Sequence, residues 1–157
     1  MALKTSTTID DFGPALKALL EAQAALTSVP VTDGPPAPGT FDGPEWIALL
    51  DVEFEQTVRA LNVSNRPRME QYTQTVLISV VQKSRADHAT PGARAWALFN
   101  AIHDAFRDNP TLNGYYTADG QIVAAQIEGG TFKKTVGQDA LLREASIEFR
   151  IRVDARI

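Results

Sequence analysis

Few side chains in this sequence are of a type and spacing that could do covalent or metal chemistry. The two histidines, His88 and His103, stand fifteen positions apart. A metal site needs several strong donors that converge, and neither histidine is spaced against other donors in a zinc pattern. His88 lies in a polar turn beside Asp87, and His103 precedes Asp104 at the border of an apolar stripe. Both read as structural or solvated groups, His103 as packed or interfacial. Ser79, Ser84 and Ser146 lack the flanking glycines of a nucleophile elbow, so no triad can be argued. Glu53 and Glu55, two residues apart, share one face if they lie on a strand. Paired carboxylates do acid–base work when their surroundings split their pKa values. With Asp51 beside them they read instead as the exposed side of a strand. No cysteine is present, so disulfides, thiolate nucleophiles and thiolate metal sites are excluded.

Two further groupings carry charge rather than chemistry. Gly129-Gly130 followed by Lys133-Lys134 has the residue types of a phosphate loop. A phosphate loop, however, closes on a lysine and a hydroxyl residue that open a helix. Here the lysines run into Thr135-Val136 with no helix signal, so residues 129–140 are expected to form a hairpin loop. Its lysines, Lys133 and Lys134, would give it a positive tip for docking onto an acidic neighbour. The second grouping is the row Glu148, Arg150, Arg152, Asp154, which alternates with Ile147, Phe149, Ile151 and Val153. That period of two is a strand with one apolar and one charged face. The mixed-sign row is either a solvated sheet face or a subunit seam or channel wall, where opposite charges fix register.

The elements that must position these residues follow from periodicity. Residues 10–26 read as a helix, with Asp10 and Asp11 at its positive end and Leu16, Leu19 and Leu20 on its apolar stripe. Pro14 is tolerated only near a helix start, which puts the regular helix close to Gly13. Residues 27–44 are broken by prolines 30, 35, 36, 38 and 44 and by three glycines, leaving at most a short edge contact at Val29 and Val31. Such a long loop is usually disordered or functional, for example an arm laid on a neighbouring subunit. Residues 45–63 permit a helix starting from Pro44, but the alternation from Val52 to Ala60 favours two short strands or one bent strand. Asn62, Ser64, Asn65 and Pro67 then predict a turn.

Met69 opens a long strand whose β-branched stretch, Thr75 to Val81, leaves neither face strongly polar at its end. That suits a central strand covered by helices on one side. Thr90-Pro91 predicts a helix start, Thr90 as the cap and Pro91 at the first position, and Ala95, Leu98, Phe99, Ile102 and Phe106 fall on one side of that helix. Asn109-Pro110 stops it. Asn113-Gly114 and Asp119-Gly120 are turn pairs. Residues 121–128 and the last strand then make an antiparallel pair. The expected fold is α+β, a mostly antiparallel sheet with two helices packed on one face.

The bulk numbers set the frame. A chain of 157 residues suggests one domain, residues 1–157, able to bury a core without staples. No apolar run reaches 18 residues and no apolar signal region precedes Asp10, so a soluble protein with no membrane segment is expected, made in a cytoplasm. The formal charge is −4, from 15 basic and 19 acidic side chains, and gives no general attraction for nucleic acid. Aromatic and basic residues do not interleave as base stacking requires, so no sequence-specific nucleic-acid binding is expected.

From Trp46 to its end the chain resembles the tail terminator proteins of long-tailed bacteriophages, the minor tail protein U-like family. The resemblance is carried by WIALLDVEFEQTVRAL, RMEQYTQTVLISVVQ, ATPGARAWALFNAIHDAF, the LNG turn and SIEFRIRVDARI. The first helix also fits, whereas residues 27–44 and Tyr115-Tyr116 do not follow the pattern. The resemblance implies a homo-oligomer, a hexameric ring that caps the tail tube, halts its polymerisation and offers the head-joining surface. Its implied partners are the tail tube protein and a head completion or connector protein, with DNA passing through the centre unread. It implies a place in the virion, no enzymatic activity and no cofactor. Neck rings, tail tube subunits, gene transfer particles and contractile injection machines share parts of this plan. In such a ring the row Glu148, Arg150, Arg152, Asp154 would suit a lumen that lets DNA slide without gripping it. The alternatives are another neck or tube component, told apart by its preferred partner, and a small ligand-binding domain or enzyme. The latter would need a concave pocket with convergent polar groups.

Overall fold

The structure is a computed structural model that describes residues 8–36, 43–55, 69–83, 87–112, 121–136 and 141–156. The elements are α1 (Ile9–Glu21), a short 3-10 turn (Ala24–Leu26), β1 (Val31–Asp33), β2 (Glu45–Glu55), β3 (Met69–Lys83), α2 (Ala89–Asp108), β4 (Gln121–Val136) and β5 (Leu142–Arg156). The strands form one sheet in the order β1-β2-β3-β5-β4. Every pairing is antiparallel except the short β1–β2 pair, where Val31 sits level with Ile47. This is the expected α+β architecture.

Both helices cover the same face. Phe12 of α1 meets Tyr72 of β3 edge-on at 5.6 Å, and Phe99 of α2 meets Phe149 of β5 at 5.1 Å. Tyr72 pairs with Val153 and Val76 with Phe149, so these residues share one side of the sheet. There Tyr72, Val76, Ile78 and Val80 join Ile147, Phe149, Ile151 and Val153 under Phe12, Leu16, Leu20, Leu98 and Ile102, all buried. The alternation predicted for β5 is the alternation observed. No helix among the described residues is long and apolar enough to cross a membrane.

Several boundaries differ from the sequence expectation. Helix α1 begins at Ile9 rather than near Gly13, and Pro14 sits inside it. The extra turn is held from outside the helix. The Thr8 carbonyl accepts from Asp11 and Phe12 N–H, while Thr8 N–H and Oγ1 both donate to the buried Glu70 carboxylate at 2.9 Å. Tyr72 Oη lies 3.2 Å from Thr8 Oγ1, and burial pushes the Tyr72 phenol well above its usual pKa against the opposing effect of that contact.

Helix α2 begins at Ala89, so Thr90 is not its cap. The Asp87 carboxylate accepts from Ala89 N–H at 2.9 Å, and Pro91 falls in the first turn, where a missing N–H costs nothing. Its far end follows expectation, with Asn109 N–H donating to Ala105.

Of the proline-broken stretch, residues 31–33 form β1, the short contact expected at Val31. Residues 45–55 are one strand, bent by a register shift between Leu49 and Val52. The larger correction concerns residues 129–140. Strand β4 runs through Gly129-Gly130 to Val136, so Lys133 and Lys134 are on a strand, not at a loop tip. A side chain at Gly130 would collide with the Glu148 carbonyl and the Phe149 Cβ, while Gly129 takes a positive φ of 145° at a bulge. The glycine pair lets β5 approach; it does not end the strand. The turns expected at 62–67, Asn113-Gly114 and Asp119-Gly120, with Ser84, residues 37–42 of the proline-rich stretch and the Tyr115-Tyr116 departure, lie outside the described residues.

Candidate functional site

The groups with chemical potential are kept apart. His88 and His103 are at opposite ends of α2, which at 1.5 Å per residue separates them by about 22 Å. His88 Nε2 is 3.0 Å from the Thr135 carbonyl, and the His103 side chain is 57% exposed beside Asp104. No cluster of three potential metal ligands exists among the described residues. Ser79 is buried and donates to Glu144 at 2.8 Å, a cross-strand tie. Asp51 and Glu53 are exposed on β2, as expected. Two shallow, open depressions lie among the described residues. One lies beside Pro30 and Val31, the other between His103, Arg107 and Gln126.

What the fold presents instead is a broad sheet face that no described element covers. On β5 it carries Glu148, Arg150, Arg152 and Asp154, brought together as a single outward row. Opposite them on β3 stand Leu77, Thr75, Thr73 and Gln71. The row is tied laterally. Gln71 Nε2 donates to Asp154 Oδ1 at 2.6 Å, and Arg152 lies 3.7 Å from Glu128 and 3.8 Å from Asp154. Arg152 Nε is buried without a hydrogen bond among the described residues, which leaves donor capacity beside the row. Glu148 and Arg150 are exposed. Two acids and two bases make this a row with no net sign.

The face ends in two edges of opposite charge. Strand β4 is one outer edge, with Lys133 turned to the open face beside Ser146 and Lys134 turned to the helix side beside Ala145. Lys134 Nζ stands 5.7 Å from the Phe132 ring. At the other edge, β1 pairs only with Ile47, Ala48 and Leu49. The acidic end of β2 continues beyond it, with Phe54 60% exposed.

Sequence reasoning missed the aromatic strip along the β4 edge. Trp96, 44% exposed, lies 5.5 Å from Phe132 and 5.6 Å from Phe99. Its signal was present in the i, i+3 spacing of Trp96 and Phe99, but Phe132 joins it only because β4 extends past the glycines.

No family model and no curated protein matches the chain. Among solved structures, one in the virion of a native gene transfer agent particle matches with a TM-score of 0.49 and 19% identity. That match covers 95% of this chain and 99% of the other. A chain of an extracellular contractile injection system, from a structure of its sheath/tube terminator in the extended state, matches with a TM-score of 0.47 and 16% identity. It covers 98% of this chain, which spans 58% of that protein. Likenesses this distant assign no role.

Proposed function

We propose that the chain is a non-enzymatic structural component of a phage-like particle, a tail terminator that closes into a ring on the end of the tail tube. The observation that carries this reading is the open sheet face bounded by two unlike edges. A closed ring needs a heterologous interface, two different patches that meet around a rotation axis. The β4 edge and the acidic end of β2 are two such patches at opposite ends of one sheet. The neutral row Glu148, Arg150, Arg152, Asp154 then faces the channel, polar enough to stay hydrated and without the net positive charge that grips DNA. The ring is hexameric, as the sequence resemblance implies. Its partners are the tube end and a head-side connector.

The test is the mass of the purified protein by light scattering over a range of concentrations, followed by negative-stain imaging, alone and with purified tail tubes. A six-subunit ring with a central hole, free or seated on tube ends, is expected. A protein that stays monomeric and ignores tubes removes the proposal. A ring that binds the head-side connector and not the tube makes it a neck component.

A further inference from the structure

Long unpaired strand edges invite indiscriminate pairing, and lysines on them are a common deterrent. Here the charge at the two ends of the sheet is unequal, and that turns a deterrent into a selector. Among the described residues β4 has no strand beyond it; outward hydrogen bonds reach it from Pro110, to Ala125, and from His88, to Thr135. The end of β2 from Asp51 onward is likewise unpaired on its outer side, since β1 stops level with Leu49. Lysines at the first edge and acids at the second repel their own kind and attract each other.

Direction and facing agree with that match. Strands β2 and β5 run one way and β3 and β4 the other, because each successive pairing is antiparallel. If neighbouring copies continue the sheet, β4 of one therefore meets β2 of the next antiparallel. On β4, Phe132 and Lys134 point to the helix side and Lys133 to the open face. On β2, Val52 and Phe54 pair with Gln74 and Tyr72 on the helix side, and Glu53 pairs with Thr73 on the open face. Setting Lys133 opposite Glu53 then sets Phe132 opposite Phe54, as antiparallel order requires. Charge meets charge on one side, and aromatic meets aromatic on the other. The 60% exposure of Phe54 and the uncovered Trp96 next to Phe132 are removed by the same contact.

We propose that the ring seam is this β-sheet junction, the Phe132–Lys134 edge of one copy paired antiparallel with the Val52–Phe54 edge of the next. The proposal rests on the ring reading above and adds its residues and register. It also has a geometric consequence. Phe54 is level with Tyr72 of β3, whereas Phe132 is level, through Ile147, with Ile78. Each copy is thus displaced along its neighbour by six residues, about 20 Å at 3.3 Å per residue. From β2 of one copy to β2 of the next there are four strand spacings of about 4.8 Å, about 19 Å, so the strands tilt from the ring axis by about 45°, at the upper end of the range of closed barrels.

The sequence contains no cysteine, so introduced thiols report one geometry without background. In the full chain, Lys133→Cys and Glu53→Cys are made singly and together, then treated with a short bismaleimide. Within one copy the two positions lie at opposite edges of a five-stranded sheet, beyond the reagent. The double variant is expected to give a ladder that ends at a covalently closed ring, while either single variant stays at monomer mass. Circular dichroism and melting temperature like those of the parent exclude misfolding as a cause. If the parent forms rings and the double variant gives no ladder, the seam is elsewhere and the ring reading survives. Dimers from Lys133→Cys alone overturn the heterologous pairing in favour of β4 against β4. A parent that forms no ring with or without tubes, and a double variant that gives no ladder, remove both. In a second arm, Lys133→Glu with Lys134→Glu is expected to abolish assembly, and adding Asp51→Lys with Glu53→Lys to the same chain to restore it. Failure of that rescue in a folded protein whose parent assembles counts against the seam.

Discussion

Gly130 shows how one residue can be read two ways. In sequence, Gly129-Gly130 looks like punctuation. In the fold, Gly130 sits opposite Phe149 in the middle of a long pairing, and any Cβ there would meet β5 backbone. Gly130→Ala is therefore expected to destabilise the fold by about 1–3 kcal/mol, the usual cost of overpacking a tight contact. Chemical denaturation checks it through a lower midpoint with an unchanged slope. Gly92→Ala is the matched control, since its Cβ would only touch the Phe132 ring at 3.4 Å. If Gly130→Ala is as mild as the control, β4 does not approach β5 as described and the strand breaks at the glycines after all. The mixed row from Glu148 to Asp154 was legible because alternation is a local property. The fate of Lys133 and Lys134 was not, because it depended on a close approach between two backbones.

At the level of elements, the last strand and the long central one were legible from their period of two and their β-branched content. The start of α1 was less so, because the group that holds it lies far along the chain. Thr8 anchors α1 through Glu70, 62 residues away. Pro14 makes this testable. In the structure it is the sixth residue of α1, where it lacks the N–H that would donate to Asp10 and its ring crowds that carbonyl. Its side chain is exposed, so replacing it leaves the core untouched. Gly13 before it eases the restriction that proline places on its predecessor. Pro14→Ala is expected to stabilise the protein by about 2 kcal/mol, the interior-proline penalty less the entropy that proline removes from the unfolded chain. Calorimetry should show a melting temperature higher by several degrees. Had the helix begun at Gly13, Pro14 would occupy a favoured first position and the same change would be neutral or harmful.

For the molecule as a whole, the question is what a sheet face with a central charged row of no net sign is for. A face that only kept the protein soluble would tolerate any sign. A face lining a DNA channel would not, because it must neither bind the polyanion nor exclude it. Arg150→Glu with Arg152→Glu turns two acids and two bases into four acids in every copy. Neither arginine lies at the proposed seam, so rings should still form. The melting temperature should fall little, because Arg152 makes only long, partly exposed ion pairs at 3.7 and 3.8 Å. Particles carrying the variant should retain less DNA at low salt. The deficit should shrink as ionic strength rises and the Debye length falls from about 30 Å at 0.01 M to about 8 Å at 0.15 M. The opposite change, Glu148→Arg with Asp154→Arg, should slow DNA release with the same salt dependence. Equal retention in all three particles would mean that the open face does not line the channel. Loss of rings would move the row from the lumen to the seam. The salt dependence separates a lumen effect from a folding defect, since a misfolded ring would leak DNA at every ionic strength.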